Sequence, residues 1–254
     1  MILAMAIGNT NFIFAQEGKK NIKRSDTVML KSSADFVEVI KSSKFNADDV
    51  EGVIISSVVP TLTPHLIEAV QELFGVTPVV VKSDMNMALD LSAYNKKQLG
   101  NDRIAVCEAA IAKYTVPAII FDFGTATTIN IVDAKGQFLG GSILAGVTMG
   151  LDALSKNTAQ LPKGDITQSH VPLIGSNTQD CLISGAVYGN AAMMSGMINR
   201  IENELGQKVT VLVTGGNSRF VLPFCESTFI YDENLQIKGL YELYNKNCGG
   251  NSFE

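Results

Sequence analysis

The sequence predicts an α/β protein made of two related halves, and two observations carry that prediction. Residues 2–14 read ILAMAIGNTNFIF and residues 118–132 read AIIFDFGTATTINIV. Each is an apolar run, a tight glycine turn flanked by hydroxyl or amide residues, and a second apolar run. Elsewhere, β-branched runs that stop at proline or glycine alternate with stretches of helical spacing, the pattern of mixed sheets flanked by helices. Aligned on Gly8 and Gly124, Ala6 falls opposite Asp122. Glycine at such a bend lets backbone N–H groups and Thr or Asn side chains approach a phosphate closely. A carboxylate two residues earlier can hold a cation beside it. Two such devices predict two half-domains closing on a nucleotide at a cleft between them.

The elements follow in order. After the opening hairpin, a third strand is expected at Thr27–Leu30. Ser33–Lys41 has helical spacing, with Phe36, Val37 and Ile40 on one side. Gly52–Val59 is a β-branched run stopped by Pro60, as a buried parallel strand would be. A helix over Thr63–Phe74 ends at Gly75, and Val79–Val81 is a short strand with Pro78 at its start. Asp102–Lys113 is helical, with Ile104, Cys107 and Ile111 on a shared face. The second half repeats the plan: a hairpin of Ala118–Val132 and Phe138–Leu144 turning at Ala134–Gly136, then a helix over Val147–Asn157. A long helical stretch covers Thr178–Leu205, expected to break near Gly185–Gly189. Val209–Val213 is a strand entering the turn Thr214–Asn217, Leu235–Asn247 a closing helix, and the tail after Cys248 frayed. The division is expected once, as 1–115 and 116–254.

Composition narrows the class. With 46% hydrophobic residues and a mean hydropathy of +0.19, the chain can fill substantial cores. Its 18% charged fraction is low for a monomer, so part of the surface is expected to be hidden in a homodimer. A net charge of −5 argues against a nucleic-acid partner. Asp122, Lys135 and Asp152 interrupt the best apolar runs, so no membrane span is expected. Nor does the start read as a signal peptide. The four cysteines have no CxxC spacing, and three sit in apolar or helical context where buried, reduced thiols are expected. Together these point to a cytoplasmic protein. His65 and His170 show no metal spacing and read as surface or capping residues.

Three turns, IGNT (7–10), DFGTATT (122–128) and TGGN (214–217), each follow an apolar strand. Any one could be an ordinary turn; three in this order point to nucleotide binding. The DFG of protein kinases comes with an HRD loop and a GxGxxG, both absent here, as is a Walker A motif. The ordered set IGNTN, ISSVVP (55–60), GNDR (100–103), DFGTATT, GGSILAG (140–146), TAQLP (158–162), IGSNT (174–178) and TGG resembles the type III pantothenate kinases. These belong to the acetate and sugar kinase/Hsp70/actin superfamily, and the likeness runs from Met1 to about Asn247.

The resemblance implies ribonuclease H-like half-domains and ATP-dependent phosphorylation of pantothenate, the first step of coenzyme A synthesis. It implies Asp102 as general base for the substrate's primary hydroxyl. Pantothenate would be held by Gly100, Asn101, Asp102 and Arg103, by Tyr94, and by Thr178 across a dimer interface. ATP would lie on the run Ala6, Ile7, Gly8, Asn9, Thr10, Asn11, Phe12 and Ile13, on Thr125, and on Gly215 and Gly216. Mg²⁺ would accompany ATP, and a monovalent cation, K⁺ or NH₄⁺, would sit at Asp122. Elementary chemistry agrees: a carboxylate of ordinary basicity can position a hydroxyl for a loose phosphoryl transfer, and a guanidinium grips a carboxylate bidentately. An acid within an apolar strand, as at Asp122, is costly unless a cation or donor meets it. Blander roles compete: a helix cap for Asp102 or Thr178, β-propensity for Thr125, a half-exposed loop ring for Tyr94.

Two departures stand out. Ala145 replaces the proline of the family's GGxIxPG, a small loss of loop stiffness. Ala6 replaces the aspartate of DxGNT, an acid expected to organise Mg²⁺ and phosphates, so turnover about 10²–10³-fold lower is expected. Two other functions remain in view: a catalytically silent ligand-binding or regulatory relative, and a kinase of another small hydroxyl compound.

Overall fold

The computed structural model describes residues 1–18, 22–43, 47–167 and 171–248. His170 and the segment after Cys248 lie outside them. The chain forms two units. The first comprises Met1–Tyr114, Gly136–Phe138 and Asn234–Glu254, and the second Thr115–Lys135 and Leu139–Glu233. A single division at 115/116 therefore misses two returns: a three-residue visit at Gly136–Phe138, and the closing helix, which packs on the first unit.

In the first unit, β1 (Ile2–Ile7), β2 (Asn11–Gln16), β3 (Lys23–Asp26), β4 (Gly52–Ser57) and β5 (Val79–Val80) form one sheet in the order β3-β2-β1-β4-β5. β1 runs antiparallel to β2 and parallel to β4. Side chains alternate across the sheet. Leu3, Met5 and Ile7, with Val53 and Ile55, face α1 (Ser33–Ser42) and α2 (Thr63–Phe74). There they meet Phe12, Phe14, Phe36, Leu66 and Val70 in one core. Each such side chain contributes about 1.5–3 kcal/mol. Ser32 caps α1 in a reciprocal capping box with Asp35, which explains where that helix starts.

The other face carries α3 (Asn101–Lys113) and α7 (Leu235–Cys248), which pack on β4 and β1. Two glycines permit the close approach. A Cβ on Gly239 would overlap the Ala105 carbonyl, and one on Gly52 would overlap the Tyr244 hydroxyl. The expected third strand at Thr27–Leu30 is instead a 3₁₀ turn at Thr27–Met29, with the strand just before it. The Asp26 carboxylate accepts the Val28 N–H at 3.0 Å and so ends the ladder there.

The second unit repeats this topology. Its sheet, from β6 (Ala118–Phe123), β7 (Ala126–Val132), β8 (Phe138–Ala145), β9 (Thr210–Thr214) and β10 (Ile230–Tyr231), runs β10-β9-β6-β7-β8. β6 is antiparallel to β7 and parallel to β9, as β1 is to β2 and β4. Ile119, Phe121, Phe123, Ile129, Val211 and Val213 face α5 (Thr178–Leu205), which brings Met194, Ile198 and Ile201. α4 (Val147–Asn157) and the short α6 (Ser218–Val221) complete that layer.

α5 is one continuous helix, not broken near Gly185–Gly189. Its glycines keep helical φ values, and each costs only about 1 kcal/mol against a buried stripe that holds the helix to the sheet. It is also the one described helix long and apolar enough to cross a membrane by length and composition. Reading only for uninterrupted apolar runs misses it, because small polar residues dilute the signal. All four cysteines are free, but only Cys107 is buried; Cys181 and Cys248 are exposed, which corrects the expectation of three buried thiols. Cys181 lies on the outer side of α5 and Cys225 is half-buried.

The α3–α7 approach yields a stability test. Gly239→Ala should lower stability by about 1–3 kcal/mol, read as a lower urea midpoint at unchanged m-value. A parental midpoint would mean that the two helices can part without cost.

Candidate active site

The first unit gathers its candidate residues where β1 and β4 end. The β1–β2 turn is closed by the Gly8 N–H donating to the Asn11 carbonyl at 2.9 Å. The Thr27 hydroxyl donates to the Gly8 carbonyl at 2.9 Å, and the Thr27 N–H to the Thr10 carbonyl at 2.8 Å. Asn9, Thr10 and Asn11 are exposed at its tip. Ala6, Ile7 and Phe12 are buried in the sheet and core, and Ile13 is half-buried, so these four could meet a ligand only through backbone. One strand over, the Val58 N–H donates to the Ile7 carbonyl at 3.0 Å, and Asn101 Nδ2 to the Ser57 carbonyl at 3.3 Å. The phosphate-type turn is thereby tied through β4 to the N-terminus of α3.

That N-terminus has Gly100 at the cap position with no side-chain cap. Asp102 is not at the cap position, but its Oδ1 accepts the free first-turn N–H of Arg103 at 2.8 Å, so the capping role is present. Gly100 leaves room for the carboxylate where it lies: a Cβ there would be 2.5 Å from Asp102 Oδ1 and would displace it. Burial pushes the Asp102 carboxyl above its ordinary value of 3.8, and the Arg103 N–H and guanidinium draw it back only in part. Arg103 is 7% exposed, with its Cζ 5.4 Å from the centre of the Phe138 ring. Tyr94, half-buried, meets the same ring edge-on at 4.9 Å. Phe138 thus joins two predicted residues although sequence reading gave it only a strand position; its aromatic character beside a turn was the available signal.

In the second unit three turns converge. Asn217 donates to the Gly124 carbonyl through Nδ2 at 2.8 Å and to the Phe123 carbonyl through N–H at 2.9 Å. Gly146 backs onto the Gly124 and Thr125 carbonyls so closely that no side chain fits. Asp122, half-buried, pairs in register with Thr128 and Thr214. A Cβ on Gly215 would come 2.5 Å from its Oδ1, so that glycine keeps the space beside the carboxylate open. Thr125 and Gly215 are half-buried beside it, and Gly216 is exposed. Thr178 opens α5 after the true cap, Asn177, on the rim of an apolar hollow of about 470 Å³.

The repeat equates Ala6 with Asp122: each is the penultimate residue of the leading strand of its sheet. The Asp122 carboxylate is a hard oxygen ligand of the kind a cation takes. Residue 6 offers none, since its side chain is a buried methyl. Among the described residues no three His, Cys, Asp or Glu side chains come together as a metal cage.

A Campylobacter jejuni chain described as a Baf family transcriptional activator superposes with a TM-score of 0.64 at 22% identity, over 97% of this chain and 99% of that one. The activator of 2-hydroxyisocaproyl-CoA dehydratase from Clostridium difficile, with bound ADPNP, gives 0.54 at 13%, over 100% and 98%. At these identities the likeness is one of fold. A sequence profile of type III pantothenate kinases matches residues 2–200. The type III pantothenate kinase of an Exiguobacterium species is 36% identical over 97% of this chain and 99% of its own. That of Moorella thermoacetica is 33% identical over 97% and 100%. The chain belongs to the type III pantothenate kinase family.

The raised Asp102 value has a signed consequence. Stability from a group whose folded-state value is raised is fully present below its ordinary value and lost as pH rises through the folded one. Asp102→Asn lacks that loss, so in urea unfolding it should gain on the parent as pH is raised from 3.8 towards neutrality. A difference that stays flat with pH would mean an ordinary carboxylate.

Proposed function

We propose that this chain transfers the γ-phosphoryl group of ATP to the primary hydroxyl of pantothenate, giving 4′-phosphopantothenate for coenzyme A synthesis. The observation that carries the proposal is a half-buried carboxylate, Asp102, next to a buried Arg103 at one helix N-terminus tied to a glycine turn. In this reading the hydroxyl oxygen bonds to the γ-phosphorus as the bond to the β–γ bridging oxygen breaks. ADP leaves and the hydroxyl proton passes to Asp102. Gly100 leaves the carboxylate its place and Asn101 sets the helix end against β4. Arg103, beside the Phe138 ring, grips the pantothenate carboxylate, and Tyr94, packed on the same ring, contacts the substrate too.

The nucleotide is assigned to backbone groups of Ala6–Ile13 and to Thr125, Gly215 and Gly216. Mg²⁺ enters as part of the ATP substrate, its ligands being phosphate and water, since residue 6 gives none. Asp122 and its neighbouring oxygens would hold K⁺ or NH₄⁺, whose charge would offset that of the phosphates. A homodimer is supported by Ile143, Leu144, Met149 and Leu154, all exposed around the hollow that Thr178 borders. With a metabolic substrate and free thiols, the cytoplasm is the setting proposed. The silent-relative alternative has Ala6 in its favour, against family members 33–36% identical over nearly the whole chain that are named as kinases.

Asp102→Asn should keep pantothenate binding in calorimetry while turnover falls about 10²–10⁴-fold. In the parent, kcat/KM should rise with pH on an acid limb set above 3.8, because the base works only when ionised; the variant should lack that limb. Unchanged turnover in the variant would remove Asp102 from the mechanism.

A further inference from the structure

Between β5 and the 3₁₀ turn at Lys96–Gln98, the segment that carries Tyr94 has no regular helix or strand, yet it is strapped on two sides. On one side stands Glu108, fully buried in α3. Its two carboxylate oxygens accept the Ala88 N–H at 3.0 Å each, and Oε2 also accepts the Leu89 N–H at 3.0 Å. The same carboxylate is ion-paired with Lys246 in the last turn of α7. Next to it, Asn247 Oδ1 accepts the Asn86 N–H at 3.0 Å and its Nδ2 donates to the Asn86 carbonyl at 2.9 Å. Asn86 Nδ2 completes the clasp by donating to the Lys246 carbonyl at 3.2 Å.

On the other side, the Asp90 N–H donates to the Gly136 carbonyl and the Phe138 N–H to the Asp90 carbonyl, both at 2.9 Å. Gln137 Nε2 reaches Asp90 Oδ2 at 3.2 Å and the Ser92 hydroxyl at 3.1 Å. Glu108 lies six residues beyond Asp102 on one helix, about 9 Å along its axis. A single rigid element therefore carries both the proposed base and the anchor of the loop that faces it. The hydrophobic core on the opposite face of the sheet uses none of these contacts.

We propose that the last turn of α7, through Lys246, Asn247 and the buried Glu108, is a latch that positions the Tyr94 loop and so sets affinity for the acceptor substrate. All three are positioning residues, several contacts removed from any reacting atom. The inference rests on the reading of Tyr94 and Arg103 as the pantothenate pocket. A polar group buried away from water needs its partners, so the loop's Ala88 and Leu89 amides keep their places only while the carboxylate is held. Lys246 is 31% exposed, so the outer half of the strap can be changed without opening the core.

The test uses the full chain and three variants, Lys246→Met, Lys246→Arg and Asn247→Ala. Lys246→Met should raise the KM for pantothenate roughly tenfold, the effect of losing about one hydrogen bond to a charged group. The KM for ATP and kcat should change less than about twofold. Amide hydrogen exchange at Ala88 and Leu89 should quicken by a similar factor. Lys246→Arg should restore both readouts. Asn247→Ala, which leaves the buried ion pair whole, should show a smaller rise in the same KM and covers the case in which Lys246→Met does not fold. Unchanged exchange at Ala88 and Leu89 would overturn the latch. So would a parallel rise in both KM values with a lower unfolding midpoint, or faster exchange with an unaltered pantothenate KM. A parent that does not phosphorylate pantothenate would instead defeat the kinase reading, and the exchange at Ala88 and Leu89 alone would then decide the latch.

Discussion

Helix α3 has no face to spare, and the rest of the first unit is arranged around that constraint. Arg103 through Ala110 are buried without interruption, with β4 on one side and α7 on another. Only glycine at 239 lets α7 lie so near that its backbone touches Ala105. A helix enclosed in this way can neither roll nor slide, so whatever it carries at its N-terminus is aimed by packing. Asp102 and Arg103 are carried there, and Asn101 fixes that end to the last residue of β4. The cost is a carboxylate kept partly from water, and its raised protonation value is the signature of that cost. A base that must take a proton only part-way in the transition state benefits from such a setting.

The two units share a strand order and differ in what the leading strand brings to its turn. Both end with a residue on the same face next to a glycine bend, Ala6 in one and Asp122 in the other. In the second unit, Gly215 leaves room beside the Asp122 carboxylate. In the first, a buried methyl closes the corresponding position, and Asn9 and Thr10 are exposed at the turn. One topology therefore occurs twice, with an acid at the equivalent position of the second unit alone. On the proposed assignment, residue 6 would give the phosphates no electrostatic help, while Asp102 and Arg103 would still be in place for the acceptor. Rate should suffer from this more than acceptor binding does.

Much of this was legible in the sequence where the physics is local. The paired hairpins, the helix opening at GNDR and the parallel strand stopped by Pro60 each rest on periodicity or turn chemistry within a dozen residues. Errors came where a contact that periodicity does not reveal decides, whether near in sequence or far. Thr27–Leu30 has strand-like residues, but the Asp26 side chain captures Val28 and turns the chain. Glycines in α5 read as a break because the stripe from Ile183 to Ile201 that holds it to the sheet is not visible as such in sequence. The return of α7 to the first unit depends on two glycine contacts and on the Glu108–Lys246 pair, 138 residues apart. Glu108 was nonetheless visible as a lone acid in the apolar run IAVCEAAIA, and a buried acid in such a run calls for partners. Phe138 carried no comparable signal of its part in holding Arg103 and Tyr94.

The most direct test is to incubate the chain, as it stands with Ala6, with ATP, Mg²⁺, K⁺ and pantothenate. Product is then identified by mass and its rate compared with that of Ala6→Asp. Pantothenate-dependent formation of 4′-phosphopantothenate is predicted for the parent, with turnover raised roughly 10–10³-fold in the variant, the scale of one preorganised charge. No product from either protein, under conditions where both bind ATP, would contradict the assignment of acceptor chemistry to Asp102 and Arg103.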